Sequence, residues 1–334
     1  MLNPKLKLNP KLFSTDVEQE PIRKGFGIGL VKAGEDNKNV VALCADLTES
    51  TQMDKFRDKF PERFVEIGVA EQNLVTVSSG MSAMGKIPFC SSYAMFSPGR
   101  NWEQIRTTIA YNDRKVIIVG SHAGISVGPD GGTHQALEDM GLMRMLPNMA
   151  VISPCDSIEA KKATLALANK NHKTPAYLRL AREKTPVITT EETPFELGKA
   201  EIYWLPDIGL AEVGIIVTGG LTYEALLAAK ELESENIKTK VLNLASIKPI
   251  DKDAIISLAR ECHAIITVEE HQVMGGMGSA VAEVLAQYYP VPVEFVGVKD
   301  KFGQSGTPTE LIEHYGMNAK SIKDAVKKVL KRKI

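Results

Sequence analysis

Along the first half of the chain, short apolar runs rich in β-branched residues alternate with stretches whose apolar positions recur every three to four residues. The runs predict strands at 40–45, 64–68, 87–91, 115–121, 150–153 and 176–180. The helical spacing predicts helices near 22–35, 71–84, 100–111, 136–142 and 157–168. Such alternation of strand and helix is how a chain builds a parallel sheet covered by helices on both faces.

A second alternation follows residues 183–197, a stretch with two prolines, a Thr-Thr-Glu-Glu-Thr run and no periodicity that reads as a linker. Beyond it, strands are predicted at 214–218, 239–244, 264–269 and 291–296. Helices are predicted at 223–235, 253–262 and 279–288, with two more after Pro308 and from Ser321. The expected architecture is α/β: an arm over 1–19, a first domain over 20–182, the linker, and a second domain over 198–334, each domain a mostly parallel sheet flanked by helices. A length of 334 residues accommodates two cores of ordinary size.

Charge narrows the partners. With 40 Lys and Arg against 41 Asp and Glu, the chain has no basic field to gather nucleic acid or an anionic membrane surface. No apolar run approaches membrane-spanning length, and residues 1–12 lack the apolar stretch of a secretory signal. Cys44, Cys90, Cys155 and Cys262 lie far apart and form no CxxC pair, so neither a disulfide framework nor a zinc site is expected. A reducing, cytoplasmic setting is the expectation.

Three segments carry candidate chemistry. Residues 66–74, Glu-Ile-Gly-Val-Ala-Glu-Gln-Asn-Leu, end a strand and open a helix with Glu71 in its first turn; on its own that carboxylate could simply complement the helix dipole. Residues 91–100, Ser-Ser-Tyr-Ala-Met-Phe-Ser-Pro-Gly-Arg, put Tyr93 and Phe96 between a strand and a helix, where an α/β sheet presents ligands, although both rings could equally be core. Residues 121–135 form a glycine-rich loop with His122 and His134, two of only six histidines, beside Asp130. Glycines let a backbone approach a ligand closely, and imidazoles hydrogen-bond hydroxyls or move protons.

Taken together and in this order, the segments resemble the C-terminal half of transketolase, a pyrimidine-binding domain followed by the transketolase C-terminal domain, over roughly residues 20–330. The diphosphate-binding half of that family is absent from the chain. The resemblance implies a thiamine-diphosphate pyrimidine-binding fold in a split-subunit transketolase, which transfers a two-carbon ketol unit between ketose and aldose phosphates. It implies that Glu71 hydrogen-bonds N1′ of the cofactor aminopyrimidine and favours its imino tautomer. It further implies that Phe96, with Tyr93 nearby, stacks on that ring, and that Asp46 and Leu47 abut the cofactor.

By the same resemblance His122 and His134 contact substrate oxygens and relay protons, while Asp130 recognises a hydroxyl. Arg23, Ser50 and Arg182 take the sugar phosphate, with Arg179 as an alternative to Arg182. Two departures stand out: Gly99 where many transketolases carry a tyrosine, and Gly132 where a proline is common. No Gly-Asp-Gly tripeptide occurs in the sequence, so no metal site is expected in this chain; Mg²⁺ and the diphosphate fall to an N-terminal transketolase subunit, in a dimer of heterodimers. The glycine turns at 219–220 and 274–279 open helices and suggest weak anion sites, but the resemblance gives the second domain packing and subunit contacts, with no catalytic role. The β subunit of a 2-oxoacid dehydrogenase or another thiamine-diphosphate synthase, and a non-catalytic regulatory subunit keeping the fold, remain alternatives.

Overall fold

Strands made entirely of buried residues form the spine of both halves in the computed structural model, which describes residues 1–333. In chain order the first half contains β1 (Gln19–Pro21), α1 (Ile22–Asp36), β2 (Val40–Cys44), α2 (Asp54–Lys59), β3 (Phe64–Glu66), α3 (Glu71–Ala83) and β4 (Ile87–Tyr93). There follow α4 (Trp102–Gln104), which continues as a π-helical turn over Ile105–Ala110, β5 (Ile117–Ser121), α5 (Asp139–Arg144), β6 (Ala150–Ile152), α6 (Ser157–Ala168), β7 (Ala176–Arg179) and β8 (Lys184–Pro186). The second half holds β9 (Glu201–Trp204), β10 (Val213–Val217), α7 (Thr222–Ser234), β11 (Thr239–Asn243), β12 (Ser246–Lys248), α8 (Lys252–Cys262) and β13 (Ile265–Gln272). It closes with α9 (Met277–Tyr288), β14 (Val293–Val298), α10 (Pro308–His314) and α11 (Ala319–Leu330).

The α/β expectation holds. The first sheet has seven strands in the order β12-β6-β7-β5-β4-β2-β3, and the second has five in the order β14-β13-β10-β11-β9. All neighbours pair in parallel except β12 with β6 and β9 with β11. Strands β2, β5 and β10 are buried at every position, as their unbroken apolar runs require when helices cover both faces. Helices α1 and α6 seal one face of the first sheet, with Phe26 and Leu30 packed among Val40, Ala42, Ile117 and Val119. They approach closely because Gly25 faces α6: a Cβ there would lie 1.7 Å from the Ser157 carbonyl oxygen.

The other face merges with the second domain. Leu74, Ile105, Met140 and Met143 share one apolar cluster with Leu242, Ile255 and Ile265, and β12, which lies between second-sheet strand β11 and helix α8 in the chain, pairs antiparallel with β6 of the first sheet. The arm also belongs to this joint structure. Leu2 bridges to Trp204 on edge strand β9, and Leu6, Leu8 and Leu12 are buried beside Tyr203 and Ile188, which covers backbone groups an open sheet edge would expose.

Several elements depart from the sequence pattern for identifiable reasons. Residues 183–197 include β8, which pairs with β1 in front of the first helix. The helix expected from 136 begins at Asp139, because the backbone of Ala136 accepts from Gly124 and that of Leu137 accepts from Gln272. Strand β13 runs on to Gln272 through the polar Glu269, Glu270 and His271, all buried at the domain seam.

A buried ion pair lies at that seam. Arg179, at the end of β7, donates from Nε to Asp139 at 2.8 Å and from Nη2 to the Glu270 carbonyl at 2.8 Å, and Tyr177 donates to the same Asp139 carboxylate at 2.7 Å. Burial by itself would push the Asp139 carboxyl up, but the Arg179 charge, with His271, holds it below its ordinary value. Removing one member of a buried pair strands the other charge, so Arg179→Met is expected to lower stability by about 3–5 kcal/mol, measured as a fall in the urea unfolding midpoint.

Candidate active site

The candidate residues gather at the carboxyl ends of β2, β3, β4, β5 and β7, the edge where an open parallel sheet presents its loops. Glu71 is the first residue of α3 and is only 3% exposed. Its Oε2 accepts from Arg100 Nη1 at 2.8 Å, and its carbonyl accepts from the buried Asn101 amide at 2.8 Å. The Arg100 guanidinium, 52% exposed, also sits 5.1 Å from the centre of the Phe96 ring. The acid and the aromatic are therefore joined through one arginine.

Four rings form the middle of the site. Tyr93 stacks on His122 with centroids 3.9 Å apart, and it lies near-parallel to Phe96 at 6.2 Å. His134 meets Phe96 edge-on at 5.4 Å and Tyr93 at 6.4 Å. One face of Tyr93 is thus taken by His122, which leaves Phe96 as the freer flat surface.

His122 is buried, with Ser121 Oγ 2.9 Å from its Nδ1. Burial, reinforced by the Arg23 and Arg182 guanidinium groups and by His134, drives its pKa from the usual 6.5 down to about 3. The ring is neutral at physiological pH, able to donate through one nitrogen and accept through the other. His134 is half-buried, with Thr133 Oγ1 3.0 Å from its Nδ1.

Arg23 and Arg182 bring positive charge to the same place. Arg23 Nε and Nη1 are buried without a hydrogen-bond partner among the described residues, a condition that favours an anionic ligand. Burial lowers the pKa of Arg23, opposed by Glu183 and abetted by Arg182. Arg182 donates to the Val127 carbonyl at 2.6 Å and lies 3.6 Å from Asp130, so Asp130 and Arg182 stand together. Arg179, the alternative phosphate ligand from the sequence, is buried in the domain seam, where its Nε and Nη2 are engaged by Asp139 and by the Ala136 and Glu270 carbonyls.

Asp46 and Leu47 lie in the turn after β2, with Asp46 in a left-handed conformation (φ 59°). That turn is held by Glu66, whose carboxylate accepts from the Asp46 and Gly68 amides at 2.8 Å and from Thr48 at 3.1 Å. Leu47 packs against the first-domain core, and Ser50 is half-buried in the same turn with no side-chain hydrogen bond among the described residues. The structure adds Arg100, Asn101 and Glu66 to the site. Arg100 had a signal in the sequence, standing one helical turn after Phe96.

Both glycine departures have steric causes. A Cβ at Gly99 would lie 1.9 Å from the Met95 carbonyl oxygen, and one at Gly132 would lie 2.8 Å from that of Gly303. The anion site suggested at 274–279 is filled from within, since Glu269 accepts from the Met277 and Gly278 amides at 2.6 and 2.8 Å at the start of α9. Among the described residues no cluster of three His, Cys, Asp or Glu is arranged to hold a metal ion. No helix among the described residues is long and apolar enough to cross a membrane.

Comparison with known proteins places the chain in a family. Residues 19–187 match the transketolase pyrimidine binding domain and residues 209–322 the transketolase C-terminal domain. The chain belongs to the transketolase family and corresponds to its C-terminal section. It is 41% identical over 314 residues to a putative transketolase C-terminal section of Methanocaldococcus jannaschii, covering 93% of this chain and 96% of that one. It is 38% identical over 321 residues to a 6-deoxy-6-sulfo-D-fructose transketolase subunit of a Clostridium species, covering 96% of this chain and 98% of that one. Over 301 residues it is 35% identical to one of the subunits of an apulose-4-phosphate transketolase from Phocaeicola vulgatus, covering 90% and 94% of the two chains. Among solved structures, a split-gene transketolase described as an inactive β4 tetramer superposes with a TM-score of 0.86 at 43% identity, covering 94% of this chain and 99% of that one.

The His122 shift has a definite sign. The folded ring resists protonation while the unfolded one takes a proton near 6.5, so this contribution to stability is complete above about pH 6.5 and is lost as pH falls toward about 3. An NMR titration of the imidazole resonances is expected to show His122 uncharged from about pH 8 down to about pH 5, whereas a midpoint near 6.5 would contradict its burial against the two arginines.

Proposed function

We propose that this chain is the pyrimidine-side subunit of a two-chain transketolase, moving a two-carbon ketol unit between a ketose and an aldose that carry an anionic end group. The observation that carries the reading is a buried acid, Glu71, beside a flat aromatic surface, Phe96, at the edge of the ring cluster of Tyr93, His122 and His134. These residues suit the aminopyrimidine half of thiamine diphosphate: an apolar ring face, and a buried carboxyl placed to hydrogen-bond a ring nitrogen. When bound, the cofactor supplies the carbanion chemistry that breaks and makes the carbon–carbon bond.

The rest of the work falls to side chains of this chain and its partner. Neutral His122 and half-buried His134 are suited to holding sugar hydroxyls and passing protons at carbonyl oxygens, and Asp130 to accepting from a neighbouring hydroxyl. Arg23 and Arg182 are suited to the anionic tail. Two subunit relatives are named for a sulfonated and a phosphorylated sugar, and a guanidinium fork serves either group. Ser50, Asp46 and Leu47 are assigned to the rim of the site.

A partner chain bearing a Gly-Asp-Gly motif is proposed to hold the diphosphate and Mg²⁺ in a dimer of heterodimers. Supporting this, Val69, two residues before Glu71, is 72% exposed, an apolar side chain suited to burial by another protein. The subunit relatives match this chain almost end to end.

Mixing the chain with such a partner, thiamine diphosphate and Mg²⁺ is expected to produce ketol transfer that neither chain gives alone; full activity of the isolated chain would refute the reading. In the reconstituted enzyme Glu71→Gln is expected to lower kcat by about two to four orders of magnitude, the range for lost proton help. His134→Ala is expected to raise KM for the sugar while leaving the cofactor Kd unchanged, and a matching loss of cofactor affinity would place His134 elsewhere in the mechanism.

A further inference from the structure

We infer that the second domain holds the histidine loop in its working shape, with Glu270 as the positioning residue; the consequence for substrate rests on the function proposed above. Glu270 lies on β13, yet its side chain reaches under the loop of the first domain. Its Oε1 accepts the Ser126 amide at 2.6 Å, and the residue is 5% exposed. Gly124 sits directly on that carboxyl: its φ is 92°, and a Cβ there would lie 2.4 Å from Oε1. Any other residue at 124 would be strained by its backbone and would push the loop off the acid.

Gln135 secures the other end. Its amide nitrogen donates to the Ile125 carbonyl at 3.0 Å and, across the seam, to the Gln304 carbonyl at 3.0 Å. Between these two points a Cβ on Gly131 would meet Ser305 Oγ at 2.7 Å. The loop glycines that in sequence suggested close approach to a ligand thus approach the segment 303–306 of the second domain. Arg179 fixes Glu270 in turn by donating to its carbonyl.

The Glu270 carboxyl is buried with Ser126 as its hydrogen-bond partner and the Arg179 charge near it, which compensates only partly for leaving water. Burial accordingly raises the Glu270 pKa, so a neutral side chain of the same shape that keeps the accepting oxygen should replace it well. The loop so held carries His122, Asp130 and His134. The second domain then acts in sugar binding without touching the sugar.

The test compares Glu270→Ala, Glu270→Gln and Gln135→Met in two settings. In the full chain alone, hydrogen exchange of the loop amides is expected to quicken by about tenfold or more in Glu270→Ala and Gln135→Met, with β5 and β10 unchanged, and to return to normal in Glu270→Gln. In the chain reconstituted with its diphosphate-side partner, assayed with xylulose 5-phosphate and ribose 5-phosphate, Glu270→Ala is expected to raise KM about tenfold while kcat stays within about threefold, again rescued by Gln. Unchanged loop exchange in both Glu270→Ala and Gln135→Met overturns the inference, as does exchange that quickens equally throughout both sheets in all three variants. If loop exchange responds as expected while His134→Ala leaves KM untouched, the inference about the loop stands and the proposed use of that loop falls.

Discussion

The Arg179 guanidinium is the charge on which the relation between the two domains turns. It is buried at the end of β7 and satisfied by the Asp139 carboxylate, the Ala136 carbonyl and the Glu270 carbonyl. Its donors lie in a rigid planar fork, so the three acceptors are fixed relative to one another, and two of them belong to the first domain and one to the second. The apolar cluster shared across the seam supplies most of the attraction, since burial of apolar surface is the dominant favourable term. That attraction is non-directional, and the Arg179 hydrogen bond to the Glu270 carbonyl gives it a register.

From that register the seam contacts of the site follow. Glu270 meets Ser126, and Gln135 meets Gln304, with β13 standing where Arg179 holds it. The electrostatics follow the same order. Burial, with Arg23 and Arg182 alongside, keeps the His122 imidazole neutral, so the positive charge of this cluster rests on the two guanidinium groups. Arg182 is partly engaged with Asp130 and the Val127 carbonyl, whereas two Arg23 nitrogens are unpartnered among the described residues. Arg100 plays a different part, standing between solvent and Glu71 at the mouth of the site.

Much of this was legible along the chain. The strands of both sheets are apolar runs because both of their faces are buried, and the helices that cover them keep helical spacing. The segments around Glu71, Phe96 and His122 could be picked out because each follows one of those runs, at the end of a strand where loops collect. The short strands β1, β8, β9 and β12 were invisible, since they pair antiparallel across the fold with partners far away in sequence and lack the apolar run of the buried strands. The end of β13 was hidden for a related reason: Glu270 and His271 look like loop residues until their buried partners are known.

The amino-acid sequence by itself determined the two α/β layers and the strand ends at which the candidate groups sit, because those depend on local periodicity and on residues close together in the chain. Tertiary structure alone decided that Arg179 binds domains together, that Tyr93 gives one face to His122, and that the loop glycines face protein. Each of these is a contact between segments that no local pattern encodes, settled only when packing and the need to satisfy buried polar groups brought them together.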